Sequence, residues 1–152
     1  MSQVLDISVR NESLLDRLTG LISEIEVQRP WLMCISDGQM NGKPMDAMPS
    51  LLEMYAEMAR REWEDHVPAV TSQRAEVRKS DDMSMVLNRL LAGRKLVVNR
   101  LSSLTESDWD ASVGDQEQTK VYQYAFQMTK SDGDFLKAIA ERMHESVITF
   151  RG

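Results

Sequence analysis

Apolar residues in this chain recur at intervals of three and four along four long runs, and that spacing constrains the fold more than any other feature. The first run, Ser13 to Val27, sets Leu14, Leu15, Leu18, Leu21, Ile22 and Ile25 on one helical face. Asn11 or Ser13 is placed to cap it, and Pro30 to end it. The second opens between Ala47 and Ser50, with Pro49 in its first turn and Ser50 and Glu53 at capping-box spacing. Leu52, Tyr55, Ala59, Trp63 and Val67 carry its stripe as far as Pro68. The third, Met83 to Leu104, aligns Leu87, Leu90, Leu91, Val97, Val98, Leu101 and Leu104. Gly93 interrupts it at a cost of roughly 1 kcal/mol relative to alanine if exposed, which suits a point where helices approach closely. The fourth, Lys120 to Ser146, follows Thr119 as its cap and aligns Val121, Ala125, Met128, Leu136, Ile139 and Met143.

The connections are short of turn residues. Only 7 Gly and 4 Pro punctuate 152 residues, too few for a sandwich or barrel that turns every ten residues or so. The richest turn signal, Ser36-Asp37-Gly38 through Asn41-Gly42-Lys43-Pro44, reads as the main loop, and Thr71 to Asp82 as a solvated polar connection. Thr105-Glu106-Ser107-Asp108 reads as the cap of a short turn carrying Trp109, and Gly114 to Thr119 as loop. The expectation is an all-α four-helix bundle, with 1–152 as a single domain.

Charge and composition then exclude several classes. With 18 basic and 24 acidic side chains, a net charge of -6 and no Lys/Arg stripe, the chain is no candidate for nucleic acid. No apolar stretch approaches the roughly 18 to 20 residues that span a bilayer. Asp6 breaks the one apolar run of Met1 to Arg10, so no signal peptide is read there and a cytoplasmic protein is expected. Cys34 is the single cysteine; it has no basic neighbour to activate it and no Cys/His zinc spacing around it. Phosphate-loop, dinucleotide, nucleophile-elbow and HExxH patterns are missing from the sequence. His66 and His144 lack the Glu-x-x-His spacing of di-iron bundles and read as surface residues near helix ends.

One local pattern points to a family. Arg89 to Trp109, with its Leu-Thr-Glu-Ser-Asp-Trp turn, is followed after a short polar loop by Thr119-Lys-Val-Tyr-Gln-Tyr-Ala-Phe-Gln-Met-Thr-Lys-Ser-Asp-Gly-Asp-Phe-Leu-Lys-Ala-Ile139. With Leu51-Leu-Glu-Met-Tyr-Ala-Glu-Met-Ala in the second helix, this resembles the DinB/YfiT-like superfamily from about Leu14 to Met143. The resemblance implies an antiparallel bundle with one long crossover connection. It also implies a nickel or zinc ion on three histidines, one from the second helix and two, four apart, from the last.

The implied ligand positions carry no histidine here. The second-helix ligand falls on Met54, the last-helix ligands on Lys130 and Asp134, and a further position four residues earlier on Phe126. A thioether is a poor ligand for such an ion, and an ammonium has no lone pair to give. No metal cofactor is therefore expected, and the site reads as degenerate. Lys130 and Asp134 either pair in the place of the metal or face solvent. Glu57 and Glu62, with Asp132 and Asp134, either converge at one bundle end or belong to a charged face.

Eleven methionines, among them Met40, Met45, Met48, Met54 and Met58, suit core or dimer packing as well as an adaptable pocket. Trp31, Trp63, Tyr122, Tyr124 and Phe126 are expected to close one end of the core. Two functions compete. One is a metal-free interaction or ligand-sensing module, a homodimer with a possible small-molecule ligand. The other is a hydrolase or thiol-transferase/isomerase rebuilt around Glu57, Glu62, Lys130 and Asp134.

Overall fold

The computed structural model describes the backbone of residues 2–40, 47–73, 82–114 and 116–151, and the side chains of 8–34, 51–73, 82–114 and 118–144. Helix α1 spans Ser2–Met40 and α2 Ala47–Arg61; α2 passes into a π-helical turn, Glu62–His66, and then α3, Val67–Thr71. Helix α4 covers Met83–Ser102 and α5 Glu106–Trp109; strands β1 (Ser112–Val113) and β2 (Gln116–Lys120) precede α6, Val121–Arg151. The described residues are thus predominantly helical, with a small antiparallel two-stranded sheet. Helix α4 packs against α1, α2 and α3, and α6 against α1 and α2.

Helix α1 does not stop at Pro30. A proline inside a helix forfeits one hydrogen bond and crowds the carbonyl four residues back, at about 3 kcal/mol. Beyond it, however, Leu32 is fully buried in register with Leu14, Leu18, Leu21 and Ile25, with Trp31 and Met33 packed beside it. That burial offsets the proline. Asn11 and Ser13 consequently lie inside α1 rather than at its cap, and Ser36 to Met40, expected as loop, are helical; 41–46 fall outside the described residues. Ser50 likewise lies inside α2. Of the polar connection, Thr71 ends α3, Ser72 closes it in the left-handed region at φ 63, and 74–81 are outside the described residues.

Asp82 caps α4 through Met85 N–H at 2.8 Å, and Thr105 forms a reciprocal capping box with Asp108 ahead of Trp109. The stretch expected as loop after it is the hairpin of β1 and β2, turned at Gly114 with φ +49. Thr119 therefore belongs to β2 and does not cap α6; Gln123 Oε1 accepts from Lys120 N–H at 2.9 Å instead.

The buried apolar side chains form two clusters. One gathers Leu21, Ile25, Leu51, Tyr55, Leu87, Leu90 and Ile139; the other Leu14, Leu18, Val67, Val97, Trp109, Ala125 and Met128. The aromatic residues are divided between them, not collected at one end. Trp31 joins the first cluster, Trp63, Tyr122 and Tyr124 the second, and Phe126 is exposed.

Candidate functional site

Three charged residues stand in the apolar stripes of three elements, and they meet. Arg94 lies on α4 between Leu90 and Val97, Asp132 on α6 between Met128 and Ile139, and Glu62 opens the π turn after Met58 and Ala59. Arg94 and Glu62 are each 1% exposed and Asp132 8%. Arg94 Nε and Nη2 donate to Glu62 Oε2 and Oε1 at 2.7 and 2.9 Å. Its Nη1 and Nη2 donate to Asp132 Oδ2 and Oδ1 at 2.7 and 3.0 Å, and Nη1 also reaches the Leu18 carbonyl of α1 at 3.2 Å. A guanidinium has five N–H donors in a planar fork, and these bonds use all of them. One side chain thereby joins α1, the π turn, α4 and α6.

Local sequence explains the approach. Pro68 cannot donate to the carbonyl four residues before it and its ring crowds that position, so the preceding turn widens from α to π. Gly93, next to Arg94, lets the widened turn come close. A methyl group there would lie 2.9 Å from Glu62 Cγ and 3.0 Å from Trp63 Nε1. The Trp63 indole donates to the Arg89 carbonyl at 2.8 Å, locking the two elements together. Gly93 is therefore the point of close approach that its place in an apolar stripe suggests.

The electrostatics follow from counting. Burial opposes the charge of Arg94, but Glu62 and then Asp132 outweigh it and hold the guanidinium firmly protonated. Two carboxylates share one cation. Burial, the larger effect, raises the Asp132 pKa despite the hydrogen bonds from Arg94, and the Glu62 charge pushes in the same direction. Beside the cluster, His66 Nδ1 shares a 2.8 Å hydrogen bond with Tyr124 Oη. Burial and then the Arg94 charge lower His66 to about 4, so it is neutral near pH 7. His66 is thus half-buried in a polar pair, not a surface residue, whereas His144 is exposed.

The cluster is closed. The void bordered by Arg61, Glu62, His66, Arg94, Ser131 and Asp132 measures about 10 Å³, hardly room for one water. All four carboxylate oxygens of Glu62 and Asp132 already accept from Arg94. Among the described residues, no three His, Cys, Asp or Glu side chains are grouped to hold a metal ion.

The candidate residues drawn from the sequence are mostly elsewhere. Of the four carboxylates Glu57, Glu62, Asp132 and Asp134, two, Glu62 and Asp132, meet in the buried cluster, on an arginine that was not among the candidates. Glu57 lies at the surface, paired with Arg60 and Arg61, whose hydrogen bonds, those of Arg60 foremost, hold it down to about 2. Met54 is half-buried against the first apolar cluster. Phe126, Lys130 and Asp134 are exposed on α6. The cysteine, Cys34, is exposed as well. The readable signal for Arg94 was its slot in the apolar register of α4; a charge at such a slot is either mispositioned or paired inside.

Comparison with models of protein families, with curated proteins and with solved structures gives no match to this chain. None of the described helices is long and apolar enough to cross a membrane.

Proposed function

We propose that this chain is a metal-free interaction or ligand-sensing module of the DinB/YfiT-like kind, an antiparallel four-helix bundle with one long crossover connection that works as a homodimer. The observation that carries the reading is the saturation of Arg94. A fixed guanidinium neutralises the buried carboxylates and leaves neither a donor for an anionic substrate nor a free carboxylate oxygen for a metal. The residues at the positions the resemblance assigns to metal ligands fit no such ion either, since Met54 is a thioether packed on the core and Lys130 an exposed ammonium. The cluster is then a structural tie, and recognition falls to the surface.

The test is metal content of protein purified without a histidine tag, followed by thermal shifts with nickel, zinc, manganese and magnesium. The reading expects no stoichiometric metal and no shift. One metal per chain, with a rise of several degrees for one ion, overturns it.

A further inference from the structure

A hollow of about 530 Å³ lies where the start of α6 and the end of β2 meet α1, away from the ion cluster. Its volume is in the range that holds a small organic ligand. Leu14, Tyr122 and Phe126 give it apolar walls, and Phe126 stands 55% exposed although it is among the larger apolar side chains. Gln123 and Gln127 add amide groups along the α6 side.

One cation is held in place there. The Arg10 guanidinium lies 3.7 Å from the centroid of the Tyr122 ring, and its Nε and Nη2 donate to Asn11 Oδ1 at 3.1 and 2.9 Å. Asn11 is itself buried, at 6% exposure, so the arginine is oriented by a residue anchored in the core. Its acidic neighbour, Asp110, is 42% exposed and 3.5 Å away, a long contact that water screens. Lys120 Nζ lies 5.9 Å from the same ring, and the first turn of α6 has no acidic residue against the positive end of its dipole.

We infer that this hollow binds a small carboxylate with an apolar body, its acid group on Arg10 and its body between Leu14, Tyr122 and Phe126. The planar guanidinium fork matches a carboxylate, and the Asn11 hydrogen bonds with the cation–π contact to Tyr122 hold it in place before the ligand arrives. A single oriented arginine with apolar walls suits one such acid better than a phosphate chain, which needs a row of cations. The inference rests on the binding-module reading and supplies its ligand class.

The experiment is a titration of the isotope-labelled full chain with phenylacetate and, separately, with phenylacetamide, followed by amide chemical shifts. The acid is expected to move the resonances of Arg10 and of 118–127 along a saturating curve, at least tenfold more tightly than the amide. Arg10→Gln is expected to weaken the acid tenfold or more and leave the amide unchanged, while Phe126→Gln weakens both. The acid-against-amide comparison needs no variant, so it stands whether or not the variants fold. Shifts that are absent at millimolar acid, do not saturate, lie elsewhere on the chain, or are equal for acid and amide overturn the inference, as does an unaltered Arg10→Gln. A stoichiometric metal would sink the metal-free module reading while leaving this titration intact; an inert hollow on a metal-free chain would sink the ligand site alone.

Discussion

Two arginines in this molecule each bridge two acids, and they do opposite jobs. Arg60 pairs with Glu57 and Glu64, three and four residues away on the same helical run, with its side chain 44% exposed. Arg94 pairs with Glu62 and Asp132, 32 and 38 residues away, at 1% exposure. In water the first network gains little, because solvent screens it and three long side chains lose freedom to form it. In the core the second can neither be screened nor left incomplete. Taking ions out of water is costly, and the attraction repays that cost only when every donor and acceptor is used. The chain meets that condition at Arg94, whose five donors all have acceptors. The same chemistry is thus a surface ornament in one place and a fastening between four elements in the other, and contact order separates them.

The sharpest way to break this contrast is Arg94→Met. It strands two buried carboxylates, and we expect a loss of about 3–5 kcal/mol in urea unfolding. Replacing Arg94, Glu62 and Asp132 together by apolar residues of similar volume should recover most of that loss. A single substitution costing under about 1 kcal/mol would show that the cluster is not the fastening described.

Next in size is the pH dependence beside the cluster. His66 has a folded pKa of about 4 against the ordinary 6.5, so the folded chain prefers neutral imidazole. Its stabilising contribution is complete above pH 6.5 and is lost as pH falls through about 4, amounting to at most about 3 kcal/mol. Asp132 acts in the opposite sense. Its raised pKa gives a contribution that is complete below the ordinary carboxylate value and lost as pH rises through the folded one. From pH 7 to 4 the unfolding free energy should fall by the His66 loss less the Asp132 gain. The fall should flatten in His66→Gln and steepen in Asp132→Asn; an unchanged slope in His66→Gln would assign it to other groups.

Smallest of all is Arg60→Ala. The change in unfolding midpoint should be near the scatter of the measurement and disappear in 1 M salt. A salt-independent loss would make the surface network more than a solvated face.

How much of this was readable beforehand depends on which interactions decide each element. The apolar spacing of Met83 to Leu104 located the start of α4 and overran its end at Ser102 by two residues, and Thr105 with Asp108 announced the turn at Trp109, because stripes and caps are local. Pro30 misled, since its local penalty is outweighed by burial of Leu32 against distant elements. The hairpin before α6 was missed because two and five residues are too short to show an alternating pattern. Among site residues, Lys130 and Asp134 each lie two positions from Asp132. Two positions are about 200° around a helix, enough to turn a buried acid into an exposed one.

By itself the sequence determined that the chain is helical and where its long runs lie, because helix periodicity and capping act over four residues. It also contained, in plain view, three charges at apolar slots: Glu62, Arg94 and Asp132. Only the tertiary structure decided that these three find one another, that Gly93 makes room for the contact, and that Arg10 lies across Tyr122 at an open hollow. Each of those outcomes joins residues tens of positions apart. Their energies hinge on ångström distances and on the exclusion of water, and neither quantity exists until the helices have packed.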